Sequence, residues 1–253
     1  MANRDAIVSY CEDLLLSSHY QDYCPNGLQI EGKSNITRIV SGVSACQALL
    51  DAAIKQHADM ILVHHGYFWK NDSRVITGYA KKRIQTILQH DVNLLAYHLP
   101  LDGHAILGNN AQLANVMQWA IEGSMHSTCG RDLGLFGHLQ QPCSALDLQS
   151  KLNKNLAHDP LMIAKNPNTQ IKRIAWCSGA AGDDIHHALA LGVDAFVTGE
   201  PAERLYHIAQ ETGIVFYAAG HHATERYGVQ ALGHHLSEHF GIQHTFIDIP
   251  CPI

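Results

Sequence analysis

The apolar run Met60 Ile61 Leu62 Val63 ends in two adjacent histidines, His64 and His65, followed by Gly66. Imidazoles released at the end of a buried segment are donors of the type that holds zinc, iron or manganese. A carboxylate, Asp102, follows His98 Leu99 Pro100 Leu101, and a second His/carboxylate group lies in Gly220 His221 His222 Ala223 Thr224 Glu225. Three imidazoles (His64, His65, His221) and two carboxylates (Asp102, Glu225), with no cysteine close by in sequence, exceed by one or two the donors of one open catalytic zinc. They suit two divalent ions of Zn, Fe or Mn type per subunit, with one carboxylate able to bridge. Such a pair activates water and stabilises the oxyanion or leaving oxygen of a hydrolysis, so the leading chemistry is metal-dependent hydrolysis. The chain contains no G-x-S-x-G nucleophile elbow.

These residues need elements to hold them. Met60 to Val63 has the length and continuous apolarity of an interior strand, which places the histidines at its carboxyl end, where open α/β sheets bind ligands. Neighbouring side chains on a strand point to opposite faces, so both histidines serve one pocket only if the strand ends before them. The preceding text predicts a helix over 5–16 capped near Asn3 or Asp5, a turn at Pro25 Asn26 Gly27, a strand over Ile36–Val43 and a helix over Cys46–His57. A loop over 67–74, a helix over Gly78–His90 and a strand over Val92–Tyr97 follow, so strand and helix alternate as in a layered α/β unit. Asp102 then stands just past a strand end and a proline. Its alternative role is a cap for the helical segment Asn109–Trp119, which starts too far downstream for direct capping. His98 is read as a group facing the substrate or supporting the ligands.

At the other end of the chain, a strand over Ile214–Ala218 leads into a helix running to about Phe240. Val229, Leu232, Leu236 and Phe240 step by three, four and four and form one buried face. Extending that face backwards reaches Glu225 and then His221, while His222, His234 and His239 fall off it. A carboxylate heading a buried stripe costs several kcal/mol unless a positive group meets it. The alternative for this pair alone is a glutamate near a helix cap beside a satisfied core histidine. The last strand is expected near Thr245–Ile249.

Between these ends, residues 122 to 133 turn to Gly, Ser, Thr, Cys and Arg and mark a crossing into a second lobe. The expected organisation is a metal-binding α/β lobe of residues 1–125 plus about 218–253 and a second α/β lobe of residues 126–217. Within the second, strands are expected over Leu133–Leu139, Leu161–Ala164, Ile171–Cys177 and Asp194–Val197. Helices are expected over Cys143–Leu156, with Leu146, Leu148 and Leu152 apolar, over Asp184–Leu191, with Ile185, Ala188 and Leu189 on its stripe, and over Glu203–Thr212. Ser178 Gly179 Ala180 Ala181 Gly182 matches neither a P-loop nor a dinucleotide fingerprint and reads as a strand-to-helix turn. His186 and His187, like His234 and His235, are expected in solvent. Glu200 either approaches the site or caps the helix after it.

Composition excludes some roles. The 253 residues are 46% hydrophobic and 16% charged, with a formal charge of -6 and one basic cluster, Lys81 Lys82 Arg83. That balance offers no footprint for nucleic acid, and no apolar run suffices for a membrane span. Acids inside the first apolar pattern disfavour a signal peptide. Seven scattered cysteines without a C-x-x-C pair read as free thiols in a reducing cytoplasm.

His64 His65 Gly66, Tyr97 to Asp102, the stretch Gly192 to Glu200 and Gly220 to Glu225 together resemble the Nif-three-like dinuclear-metal family over essentially the whole chain. The resemblance implies an α/β fold of two lobes with the dinuclear metal site in the cleft between them, and a toroidal homohexamer. Carried over residue by residue, the family's ligands fall on His64, His65, Asp102, His221 and Glu225. The family's usual His-His-Pro reads His64 His65 Gly66 here, which removes no ligand. Members are commonly labelled type 2 GTP cyclohydrolase I homologues, which implies metal-assisted hydrolytic opening of the guanine imidazole ring of a nucleotide-like substrate with loss of formate, and catalytic roles for His98 and Glu225. Two other readings stand beside it: a phosphoesterase using the same ions, and a ring-shaped metal-binding scaffold whose cleft docks a protein or peptide.

Overall fold

The structure, a computed structural model, describes residues 1–125 and 133–253. Two compact units divide the chain: residues 1–107 with 228–249, and residues 108–227 with 250–253. Residues 108–125 and 218–227 thus group with the second unit, whereas the sequence had suggested the first. The reason is packing, because Leu113, Ala114, Met117, Trp119 and Ala223 join the second unit's core. The expected crossing at 122 to 133 lies largely outside the described residues, as does Cys129.

The first unit holds a five-stranded sheet in the order Gln243–Phe246, Arg38–Ser44, Met60–His65, Asn93–Ala96 and Gly27–Ile30. The first four strands run parallel and the fifth antiparallel. Parallel strands covered on both faces need apolar side chains at successive positions, and Met60, Ile61, Leu62 and Val63 are fully buried. One face packs with Ile7, Tyr97, Val229, Leu232 and Leu236, the other with Leu49, Leu50, Ala53 and Ile87. The stripe expected on the last helix is therefore buried at Val229, Leu232 and Leu236, with Phe240 only partly buried. Helix Arg4–Leu15 begins where Asn3 Oδ1 accepts from the Ala6 N–H at 3.1 Å, which satisfies one donor of the first turn.

The second unit has a six-stranded sheet ordered Trp119–Ser124, Leu135–Ser144, Gln170–Trp176, Ala195–Thr198, Val215–Ala218 and Leu161–Ile163. Its three central strands are parallel and its flanking pairings antiparallel. Trp119 and Trp176 pack with ring centroids 5.0 Å apart, and the Tyr217 hydroxyl donates to Ala145 O at 2.8 Å. Helix Ala145–Leu156 opens on a capping box formed by Ser144 and Asp147.

Several expectations need correction. The strand at Met60 continues through both histidines, with His65 in register with Ser44. Trp119–Ser124 is a strand where the sequence had suggested the end of a helix and a crossing. Leu146 is exposed, and Ala145 and Leu156 take the buried positions beside Leu148 and Leu152. The final strand is Gln243–Phe246, earlier than expected, because it pairs with Arg38–Ser41. His187 lies 3.4 Å from Asp184, and His235 accepts or donates at 2.7 Å to the Tyr10 hydroxyl, so neither is simply solvated. The described cysteines are free thiols, and no helix among the described residues is long and apolar enough to cross a membrane.

His244 gives this unit a pH response. Its ring packs where a Cβ on Gly233 would collide with it, and its Nε2 lies 2.8 Å from Ser41 Oγ. Burial, helped by His234, pulls its pKa down from 6.5 to about 4. The folded state therefore prefers the neutral ring, and the unfolded chain binds more protons between those values. Stability is fully present above about pH 6.5 and is lost as pH falls toward 4. Urea unfolding at pH 7 and pH 5 should show a loss of roughly 1 to 2 kcal/mol that His244→Gln flattens. An equal slope in the variant would contradict the assignment.

Candidate metal centre

In the first unit the donors gather at the carboxyl ends of the two central parallel strands. His64 is fully buried, and its Nδ1 lies 2.9 Å from the Tyr97 carbonyl. A carbonyl only accepts, so Nδ1 carries the proton and Nε2 keeps the lone pair. That Nε2 is 3.5 Å from Asp102 Oδ1, and Asp102 itself is only 7% exposed. Two acceptors facing each other at that distance are the geometry of a cation site. Asp102 sits at the last position of a one-turn helix, Leu99–Asp102, whose start is set by Pro100.

His65 reaches the same place although its strand continues. The rings of His64 and His65 are 4.6 Å apart, tilted by 48°, and His65 Nδ1 lies 3.1 Å from Ser44 Oγ. Donor atoms of His64, His65 and His98 all lie within 4.8 Å of one another. Gly66 leaves immediately because nothing larger fits: a Cβ there would collide with the Gln29 carboxamide and lie 2.7 Å from Ala96 Cβ. Gln29 Oε1 in turn accepts from the Tyr67 N–H at 2.7 Å.

His98 is held by a residue the sequence did not reveal. Its Nδ1 is 2.7 Å from Asp22 Oδ1, and Asp22 Oδ2 accepts from the Leu99 N–H at 3.0 Å and from Asn26 Nδ2 at 2.8 Å. Burial alone would raise the Asp22 carboxyl, but the hydrogen bonds it accepts from His98, Asn26 and the Tyr23 N–H outweigh it and hold the group below its ordinary value. An ionised Asp22 makes Nδ1 the donor and turns Nε2 of His98 outward as acceptor. Cys24 stands close by, but burial pushes its thiol up to about 12, which disfavours the thiolate a metal would need.

In the second unit His221 and Glu225 share one face of the helix His221–Phe240, with Nε2 of His221 3.1 Å from Glu225 Oε2. Glu225 is 3% exposed. The other ring nitrogen, Nδ1, lies 2.6 Å from Glu200 Oε1. Burial would push His221 down, yet the two carboxylates outweigh it and raise it to about 9. The same field favours any cation held there. Glu200 therefore approaches the site and backs the imidazole.

Two glycines build the floor of this half. Gly179 has φ +66°, and a Cβ on it would collide with Glu225 Oε1. The Gly179 N–H donates to Thr224 Oγ1 at 3.1 Å, and its carbonyl accepts from Gly199 N and from Thr198 Oγ1 at 2.7 and 3.0 Å. A Cβ on Gly199 would lie 2.6 Å from the His221 Cα. The turn at Ser178 thus serves the Glu225 carboxylate rather than merely joining strand to helix.

A mixed α/β fold carrying clustered His, Asp and Glu donors at strand ends and a helix start defines the class of protein. The chain belongs to the Duf34/NIF3 (NGG1p interacting factor 3) family, whose model matches residues 2–252. It is 49% identical over 246 residues to a Pseudomonas aeruginosa protein called "GTP cyclohydrolase 1 type 2 homolog", with 97% of each chain covered. A protein of the same name from Escherichia coli K12 is 47% identical over 238 residues, 94% of each. Among solved structures, protein ybgI matches with TM-score 0.95 and 44% identity over the whole of both chains. A Thermus thermophilus protein matches with TM-score 0.87 and 32% identity, also over both whole chains.

Proposed function

We propose that this chain is a dinuclear metal-dependent hydrolase of a nucleotide-like substrate, with His64, His65, Asp102, His221 and Glu225 holding two divalent ions. The observation that carries this reading is a motif repeated in each unit separately. One imidazole nitrogen is backed by an acceptor, Tyr97 O or Glu200 Oε1, and the other faces a buried carboxylate, Asp102 or Glu225. That is how ligating histidines are oriented and made more basic, and the imidazole and carboxylate set suits Zn, Fe or Mn.

When bound, such ions supply Lewis acidity and activate water. The protein's own groups supply the rest. Asp22 holds the Nδ1 proton of His98, so Nε2 is free to take a proton from water or return one to the leaving group. Glu225, packed against the Gly179 turn, would hold negative charge against the bound ions. The name shared by the curated relatives makes GTP the first substrate to test, with ring opening and loss of formate as the reaction. The reading includes a cytoplasmic homohexamer, which sedimentation velocity would detect directly.

Elemental analysis of purified protein tests the site: about two metal equivalents per chain are expected, with clear losses in His64→Ala and His221→Ala. Unchanged stoichiometry in both variants would sink the ligand assignment. Formate release from GTP supports the cyclohydrolase reaction, and phosphate release without formate replaces it with phosphoester hydrolysis. Glu200→Gln should weaken metal retention by roughly 10- to 100-fold, as for other groups that orient a ligand. Because the Glu200 side chain is 40% exposed, the melting temperature of the metal-free protein should barely move.

A further inference from the structure

A cavity of about 480 Å³ begins at Gly66, the residue after His65, and runs along the loop to the first turns of helix Gly78–Gln89. Its size falls within the range of small-molecule sites. At the end nearest the histidines stands Trp69, whose ring meets His98 edge to face at 4.9 Å and lies 5.9 Å from His65. The indole is fixed, because Nε1 donates to Gly66 O at 3.3 Å and the Trp69 N–H donates to Asp72 Oδ2 at 3.2 Å. Along the wall, Tyr79 and Ile76 are 75% and 53% exposed, which leaves apolar area facing water.

Two guanidiniums share this cavity. Arg83 lies 5.1 Å from the centre of the Tyr79 ring, and Arg74 lines the loop. Neither makes an ion pair with a carboxylate among the described residues, and the cavity's one acid, Asp72, is already engaged by the Trp69 backbone. Aromatic faces bind planar rings, and guanidinium forks bind phosphate oxygens in pairs. Apolar faces alone would fit many ligands, and cations alone any anion. Their coincidence beside His65 selects a ligand that is both planar and phosphorylated.

We propose that this cavity is the subsite for the base and phosphate of a nucleotide, with Trp69 and Tyr79 presenting ring faces and Arg74 and Arg83 clamping the phosphate. The inference rests on the hydrolase reading, since it places the substrate's recognition elements next to the metal donors. It also accounts for a loop and helix start that the metal site itself does not use.

Calorimetric titration of the metal-loaded protein with GMP, AMP, guanosine and inorganic phosphate tests it. A nucleotide should bind about tenfold or more tightly than guanosine or phosphate alone, since each of these fills half the subsite. The Arg74→Ala/Arg83→Ala protein should lose about tenfold or more in nucleotide affinity, and Tyr79→Ala, at an exposed position, should lose less than that but measurably. In each variant, metal content should stay at the wild-type value. Binding unchanged in the arginine double variant, or no nucleotide binding to metal-loaded wild type, would overturn the proposal. Elemental analysis of the same preparations separates the two readings: a wild type that holds no metal defeats the hydrolase reading, whereas nucleotide binding lost only in the cavity variants upholds the subsite.

Discussion

Replacing Glu225 by glutamine is expected to strip at least one metal equivalent from each chain and to lower turnover of the substrate by on the order of 100-fold or more. Glutamine has the same shape, so it fills the place of a side chain only 3% exposed without opening a cavity. What changes is charge. If Glu225 only accompanied His221 as a structural ion pair, the substitution would remove a buried carboxylate and leave metal content alone. If Glu225 is a ligand, metal content and turnover fall together while the metal-free protein still unfolds cooperatively. Elemental analysis and formate release, measured on the same preparation, distinguish these outcomes, and full metal retention in Glu225→Gln would remove the residue from the ligand set.

Gly179→Ala should have the second largest effect, and it acts through the backbone. Alanine at φ +66° pays the left-handed penalty, and its Cβ must displace Glu225 Oε1. Strain of about 1 to 3 kcal/mol combines with a comparable overpacking cost, so the expected destabilisation is roughly 2 to 6 kcal/mol. Because the displaced atom belongs to the carboxylate proposed as a metal ligand, metal content should fall as well. Denaturant unfolding with elemental analysis checks both halves, and a variant that kept wild-type stability and metal content would show that the turn is more yielding than its hydrogen bonds suggest.

The residues that gather donors were readable wherever local pattern and burial agree. Met60 to Val63 announced a buried strand, and the step from Leu236 back to Val229 pointed to Glu225 and His221. Other features were hidden because their meaning depends on partners distant in sequence. Asp22 gains its role only when folding brings it to His98, 76 positions away, and Glu200 only when it meets His221. Gly179 looked like an ordinary turn because a glycine's neighbours in space cannot be read from its neighbours in sequence. Histidine also misled: His235 had no visible reason to leave solvent until Tyr10 packed against it with its hydroxyl at 2.7 Å. The strand Trp119–Ser124 was missed because its pairing partner, Leu135–Ser144, comes after a stretch rich in turn residues.

The first unit draws its core from both ends of the chain. Ile7 and Leu62 pack with Val229, Leu232 and Leu236, and the edge strand Gln243–Phe246 pairs beside Arg38–Ser44. Between these parts the ribosome must make the whole of residues 108–227, the body of the second unit. During synthesis, therefore, the half made first is the half finished last. Its central parallel strands, with His64 and His65 at their ends, wait with one face uncovered until the final helix and strand emerge. Domains that fold as units during synthesis favour early closure of the N-terminal one, and this chain reverses that order. The interval in which Met60 and Leu62 stand exposed is set by the length of the intervening unit, so slow translation through residues 108–227 would lengthen the period in which this face can aggregate.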